Sequence, residues 1–241
     1  MTRLRQSLGS IAFTSYLFLS VPFYSIAAFA AAPFSRFASY RIAVAWAASV
    51  LFWLKTLCRL DFKVEGREHL GGENCVVLLK HSSAWETIAQ FVIFPRQTWV
   101  MKRELLWVPI LGWVLLLFRP IAIDRKGGRA AVEEVLAQGR ARLEQGYWVM
   151  IFPEGTRVAV GEQRRYGLSG ALLAELSGRA VIPVAHNAGV FWPRRVWLKR
   201  PGTISLIIGP RIETRGRDAR SVNSQVQEWI ESRQKAFDPP A

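Results

Sequence analysis

The sequence predicts an α/β domain, a mixed and largely parallel sheet flanked by helices, preceded by a membrane-attached helical pair. Three observations carry this expectation. Residues 9–34 contain no charged side chain. From about residue 60, short apolar runs alternate with amphipathic helical segments, the pattern of strands and helices layered on one sheet. The length of 241 residues allows one well-buried core with an appendage, and hardly two full domains. The expected division is residues 1–58 as anchoring helices and 59–241 as the α/β domain.

The first apolar run is long enough to cross a hydrocarbon core of about 30 Å as a helix, with Pro22 as a point of kinking. A second run, 42–54, has 13 residues and reads as too short to span. Basic residues flank both runs: Arg3 and Arg5, Arg36 and Arg41, Lys55 and Arg59. A spanning first run gives conflicting answers under the positive-inside rule. A hairpin dipping into one leaflet keeps every basic flank on one side, and both arrangements stay open. A cleaved signal peptide competes, since Arg3 and Arg5 form a basic start and "AAFAAAP" offers a small-residue cleavage site. The run exceeds the usual apolar segment of such signals, and a second follows at once.

Beyond residue 60, "ENCVVLLKH" reads as a buried strand ending at His81, and "SSAWETIAQFVIF" as a helix stopped by Pro95. "TWVMKRELL" reads as a strand entering a short helix. "PILGWVLLLF" is too short to span and is either core or greasy surface. "RPIAIDR" is a strand leaving Arg125 at its end. An amphipathic helix follows over "GGRAAVEEVLAQGRARLEQG", with Gly146 past its C-terminus. Then come the strand "YWVMIF" with a Pro-Glu-Gly turn, the helix "SGALLAELSG", and the strands "AVIPVAH" and "GTISLIIG". A closing helix, "SVNSQVQEWIESRQKAF", has Ser221 or Asn223 as its cap.

Composition narrows the function. Hydrophobic residues make up 51% and charged residues 21%, with 32 Lys+Arg against 18 Asp+Glu, a net charge of +14. Such a chain suits an anionic partner. Ten tryptophans favour a membrane surface over nucleic acid, and the apolar N-terminus is foreign to a nucleic-acid binder. Two cysteines, Cys58 and Cys75, give no disulfide framework and suit a reducing compartment. His69, His81 and His186 show no metal-ligand spacing, and no G-x-S-x-G nucleophile elbow is present.

His81 is the principal chemical candidate. A neutral imidazole at the end of a strand can accept a proton from an alcohol, and a carboxylate on its other nitrogen would fix the tautomer. Glu86 can be that carboxylate. Ser83 to Glu86 equally fits a capping box, in which the glutamate only bonds a backbone amide. The later stretch "FPEGTR", 152–157, bears on that choice.

"HSSAWE" followed by "FPEGTR" resembles the glycerolipid acyltransferase family, which includes 1-acylglycerol-3-phosphate acyltransferases. The first family block is His81 and Glu86, where the usual acid is aspartate. The second is "RPIAIDR" with Arg125. The third is "FPEGTR", and the fourth is the strand Val181 to Val184. The resemblance spans about residues 60 to 215. Where many relatives carry a lysine after the third block, this chain has Arg164 and Arg165. The resemblance implies His81 as general base, Glu86 as its orienting acid, and Arg125, Glu154, Gly155, Thr156 and Arg157 as the phosphate and glycerol site. Ser82, Ser83, Lys102, His186 and Asn187 are further candidates to line the cleft. It also implies lysophosphatidic acid and acyl-CoA or acyl carrier protein as substrates, with no cofactor, metal or nucleic acid, at a membrane with the catalytic domain on the cytoplasmic face. Another lysolipid, such as a lyso-ornithine lipid, is the nearest alternative acceptor. A non-catalytic membrane-binding relative is the alternative class. "DRKGGR" (124–129) and "FWPRRVWLKR" (191–200) read as a phosphate-binding turn and a headgroup-level surface, or as plain basic loops.

Overall fold

A computed structural model describes residues 3–237. Most of the charge-free N-terminal run, up to Ala31, lies in one helix, α1 (Arg3–Ala31), which continues through Pro22. The second run extends to α2 (Arg36–Cys58), longer than its apolar stretch. Ser35 caps it by accepting the Ala38 amide, and the helix runs through Arg41 and Lys55 because charge ends an apolar run without ending a helix. Both helices are long and apolar enough to cross a membrane, which corrects the short reading of the second. Pairings run Ala28 with Ser39, Ser20 with Trp46, and Tyr16 with Ser49, so the two form an antiparallel hairpin.

The sheet comprises β1 (Leu60–Glu65), β2 (Val76–Leu79), β3 (Gln97–Lys102), β4 (Ile121–Ile123), β5 (Trp148–Ile151), β6 (Val181–His186) and β7 (Gly202–Ile208). Its order is β1-β7-β6-β2-β5-β3-β4. All neighbours are parallel except β6 and β7, so the pair β1–β7 runs against the other five. This is the mixed, largely parallel sheet that the alternating pattern predicts.

β2 shows why such strands read as continuous apolar runs. Val77 and Leu79 enter the core on one face, and Val76 and Leu78 enter the core on the other. On the first face the sheet meets α2 and α3 (Trp85–Ile93). On the second it meets α5 (Arg129–Glu144), α6 (Ser169–Ser177) and α8 (Ala219–Phe237). α4 (Leu111–Leu117) and a one-turn α7 (Ala188–Phe191) complete the α-helices among the described residues. Asp218 caps α8 by accepting the amides of Arg220 and Ser221, so the helix starts before the expected Ser221 and Asn223 caps.

The hairpin is not an appendage. Phe13 of α1 and Tyr40, Ala47, Val50 and Leu54 of α2 are buried in the same cluster as Val77, Leu79, Met150 and Val184 of the sheet. The boundary expected at residue 58 is the end of α2, yet the core continues across it. Lys199 ties α1 to the domain: its Nζ donates to Thr14 Oγ1 at 2.6 Å, and its backbone amide donates to Ser10 Oγ at 3.0 Å.

Gly9 lets the hairpin close. A Cβ there would stand 2.2 Å from the Leu57 carbonyl oxygen. Gly9→Ala is therefore expected to part α1 from α2 and cost about 1–3 kcal/mol, seen as a lowered melting temperature of the detergent-solubilised protein.

Candidate active site

β2 ends at Leu79, and the chain turns through Lys80–Ala84 into α3. This turn presents His81 at the edge of the sheet, and Glu86, in the first turn of α3, reaches back to it. His81 Nδ1 lies 2.9 Å from Glu86 Oε1. The same oxygen accepts the amides of Ser82 at 3.0 Å and Ser83 at 2.8 Å. The two readings of "SSAWE" therefore coincide, because one carboxylate orients the histidine and caps the helix. Ser83 Oγ accepts the Trp85 amide and donates to the Trp192 carbonyl, which holds the turn down.

With Glu86 accepting, Nδ1 carries the proton and Nε2 keeps its lone pair. Among the described residues Nε2 has no hydrogen-bond partner. Phe152 stacks on the imidazole, 4.1 Å between ring centres. Burial alone would push the Glu86 carboxyl up. The His81 ring and the Ser83 amide, which donate to it, counter that push, and Glu86 is held below the usual range.

His81 opens on a cavity of about 400 Å³. Arg125, Arg157 and Phe152 line it with the histidine. Most of the remaining wall is apolar: Val21 and Ala28 of α1, Trp46 of α2, Phe91 of α3, Met101 of β3 and Leu115 of α4. "PILGWVLLLF" thus serves as both wall and greasy surface, since Trp113 and Leu116 face outward. Arg125 Nη1 donates to the Gly155 carbonyl at 2.6 Å, which joins the two turns. Burial lowers the Arg125 pKa, and Arg157 Nε is buried without a partner. Both features favour an anion in the cavity. Gly155 sits at φ +67, a conformation that suits glycine.

Other expected residues fall outside the cavity. Thr156 and Gly155 form the turn between Glu154 and Arg157 and do not line it. Lys102 is exposed and paired with Glu104 at 2.8 Å. Ser82 and Ser83 contribute backbone amides. His186 and Asn187 are packed behind the site. His186 Nδ1 accepts the Ala188 amide and Nε2 donates to the Lys80 carbonyl, so the ring is neutral, in keeping with the downward push of burial. Asn187 Oδ1 accepts the Ser205 amide, joining the end of β6 to β7. Arg164 and Arg165 are exposed.

Glu154 corrects the expected glycerol contact. It is buried beneath His81 and does not line the cavity. Its Oε2 accepts the His81 amide at 3.2 Å. Oε1 lies 3.1 Å from Lys80 Nζ, an ionic contact rather than an aligned hydrogen bond. Lys80 also pairs with Glu231 at 2.8 Å. Sequence reasoning passed over Lys80, although a lysine closing a fully apolar strand demands a buried partner. Glu231 gave no local signal.

Comparison with known proteins adds to this geometry. A family model described as Acyltransferase matches residues 61–187. The 1-acyl-sn-glycerol-3-phosphate acyltransferase of Pseudomonas aeruginosa is 36% identical over 239 residues, 97% of this chain and 93% of that protein. The chain belongs to the acyltransferase family. The enzyme of the same name from Limnanthes douglasii is 27% identical over 157 residues, 64% of this chain and 56% of that one. The crystal structure of the 1-acyl-sn-glycerophosphate acyltransferase PlsC from Thermotoga maritima matches with a TM-score of 0.83, covering 100% of this chain and 99% of that one at 19% identity. That likeness concerns the fold, with its mixed sheet and two N-terminal helices. Within this acyltransferase the family match runs from β1 to Asn187, so it includes His81, Glu86, Arg125 and Arg157 but leaves out α8.

Two outcomes are expected. Glu86→Gln keeps an oxygen for the Ser82 and Ser83 amides but loses the charge facing His81. Turnover should fall by roughly 10²-fold or more with little change in melting temperature; normal turnover would leave Glu86 as a cap only. For Glu154, burial outweighs the pull of Lys80 and raises the carboxyl to about 7. Such a group binds its proton more tightly folded than unfolded. Its contribution to stability is full below the ordinary carboxyl range and is lost as pH rises through about 7. Glu154→Gln should therefore flatten the fall in melting temperature between about pH 5 and pH 8.

Proposed function

We propose that this acyltransferase moves a fatty acyl group from acyl-CoA or acyl carrier protein to the sn-2 hydroxyl of 1-acylglycerol 3-phosphate. The product would be phosphatidic acid for phospholipid biosynthesis. The observation that carries the reading is His81, fixed by a buried Glu86, beside Arg125 and Arg157 in one largely apolar cavity. The relatives named for this activity support the choice of acceptor.

His81 Nε2 takes the proton of the lysolipid hydroxyl as its oxygen attacks the thioester carbonyl. The imidazolium then faces the Glu86 carboxylate. As the tetrahedral adduct collapses, the C–S bond breaks and the thiolate leaves with the proton that His81 held. The thioester is already activated, so no acyl-enzyme and no further cofactor is required. Arg125 and Arg157 would clamp the phosphate as planar forks, and the apolar wall would hold acyl chain.

Membrane attachment has its own support. Phe18, Phe23 and Ile26 of α1 are exposed, as are Trp107 and Trp113 around α4. The buried stripe of α1, from Ser10 through Phe13 and Ser20 to Ala28, runs along most of its length against the protein. The hairpin thus lies on the domain instead of projecting from it, which favours immersion in one leaflet. Exposed Trp197 beside Arg194 and Arg195 suits the headgroup level, and the net charge of +14 suits the anionic cytoplasmic face.

Purified protein with labelled acyl-CoA or acyl carrier protein and a panel of lysolipids tests the reading. Transfer to 1-acylglycerol 3-phosphate is expected, and no transfer to any lysolipid would overturn it. His81→Ala should lose at least about 10²-fold in activity while vesicle binding persists. Arg157→Ala should raise the KM for the phosphate-bearing acceptor by about tenfold; preference for an ornithine-based lysolipid would point to the other acceptor.

A further inference from the structure

One peptide unit, joining Lys80 to His81, is held from both sides by buried side chains. Its N–H donates to Glu154 Oε2 at 3.2 Å, and its C=O accepts from His186 Nε2 at 2.8 Å. Both holders lead to the same place. Glu154 meets Lys80, whose Nζ donates to Glu231 Oε1 at 2.8 Å. The backbone carbonyl of His186 accepts from Gln234 Nε2 at 3.0 Å. Glu231 and Gln234 are three residues apart on α8, hence on one face of the helix. Tyr166 fixes Glu231 by donating to the same Oε1 at 2.7 Å.

We infer that Glu231 and Gln234 of the C-terminal helix are positioning residues for His81, acting through Lys80, Glu154 and His186. Neither lines the main cavity with the lipid-facing wall. They set the plane of the peptide from which the imidazole projects. Its Nδ1 bond to Glu86 and the direction of Nε2 depend on that plane. The inference rests on His81 being the general base. It adds that a helix beyond the family match, which ends at residue 187, belongs to the catalytic apparatus.

Two buried carboxylates share one lysine here, and this makes the test clean. Glu231→Ala leaves Glu154 as a buried partner for Lys80, so the protein should still fold. Glu231→Gln keeps an oxygen for Lys80 and Tyr166 and serves as the conservative rescue. Full-length protein in detergent, with acyl-CoA and 1-acylglycerol 3-phosphate as probes, should show kcat reduced about tenfold in Glu231→Ala. KM for both substrates should stay within about twofold. Glu231→Gln should stay within about threefold of wild type, and Gln234→Ala should fall between. Glu228→Gln, exposed on the same helix, is the neutral control.

Amide exchange supplies a readout independent of substrate. A peptide spanning Leu79–Ser83 should exchange about tenfold faster in Glu231→Ala and not in Glu231→Gln, while peptides from β5 are unchanged. Unaltered exchange at this peptide overturns the positioning role, whichever lysolipid proves to be the acceptor. Unaltered kcat in an active Glu231→Ala enzyme overturns it as well. Loss of activity with rising KM and faster exchange throughout would assign α8 a merely structural role. An inactive wild type would instead count against the acyltransfer reading, with the exchange result still deciding the positioning role.

Discussion

A single oxygen atom, Glu86 Oε1, accepts three hydrogen bonds: one from the His81 ring and two from the Ser82 and Ser83 amides of the turn before α3. Most of the site is an arrangement for keeping that atom charged and in place. A fully buried carboxylate is costly to ionise, and donors aimed at it offset the cost. The turn that aims them is held by Ser83 on the Trp192 carbonyl and by Val158 donating to the His81 carbonyl. The aspartate usual in the family would sit one methylene further back. Here the glutamate reaches from the helix to both the amides and the ring.

The second organising feature is that the apolar N-terminal hairpin and α4 share the walls of the candidate site. α1, α2 and α4 contribute apolar side chains to the His81 cavity while also presenting apolar side chains outward. A helix apolar on two faces satisfies one with protein and needs another apolar medium for the second. The cavity is therefore bounded by elements that are apolar both toward the domain and toward the outside. Removing residues 1–58 would open the cavity as well as detach the hairpin.

Much of this was legible in the sequence. Charge-free runs, apolar strands bounded by turn residues, and the order "HSSAWE", "AIDR", "FPEGTR", "VIPV" define the hairpin, the sheet and the cavity residues His81, Arg125 and Arg157. The sequence was silent wherever partners lie far apart in the chain. Glu154 belongs to a block that suggested substrate contact, yet its partners are Lys80 and the His81 amide, and Lys80 in turn meets Glu231 on α8. His186 and Asn187 end a strand at the functional edge of the sheet, which made them candidates. The one-residue alternation of the strand end and the short α7 turn them into backbone-holding groups. Local pattern predicts where a residue emerges, and only the assembled sheet decides which side of the peptide its functional atoms meet.

Lys199 carries a consequence for the order of assembly. It joins α1 to the loop before β7 through a bond spanning 185 positions of sequence. β1 likewise pairs with β7, near the other end of the chain. During synthesis α1 and α2 emerge before β7 and the Trp192–Lys199 loop on which α1 packs. Until then the α1 side chains that will meet Trp192 and Lys199 have only α2 as protein cover, and a lipid surface is a medium that can shelter them. Insertion would thus precede tertiary closure, and the nascent chain would gather its sheet onto a hairpin already at the bilayer.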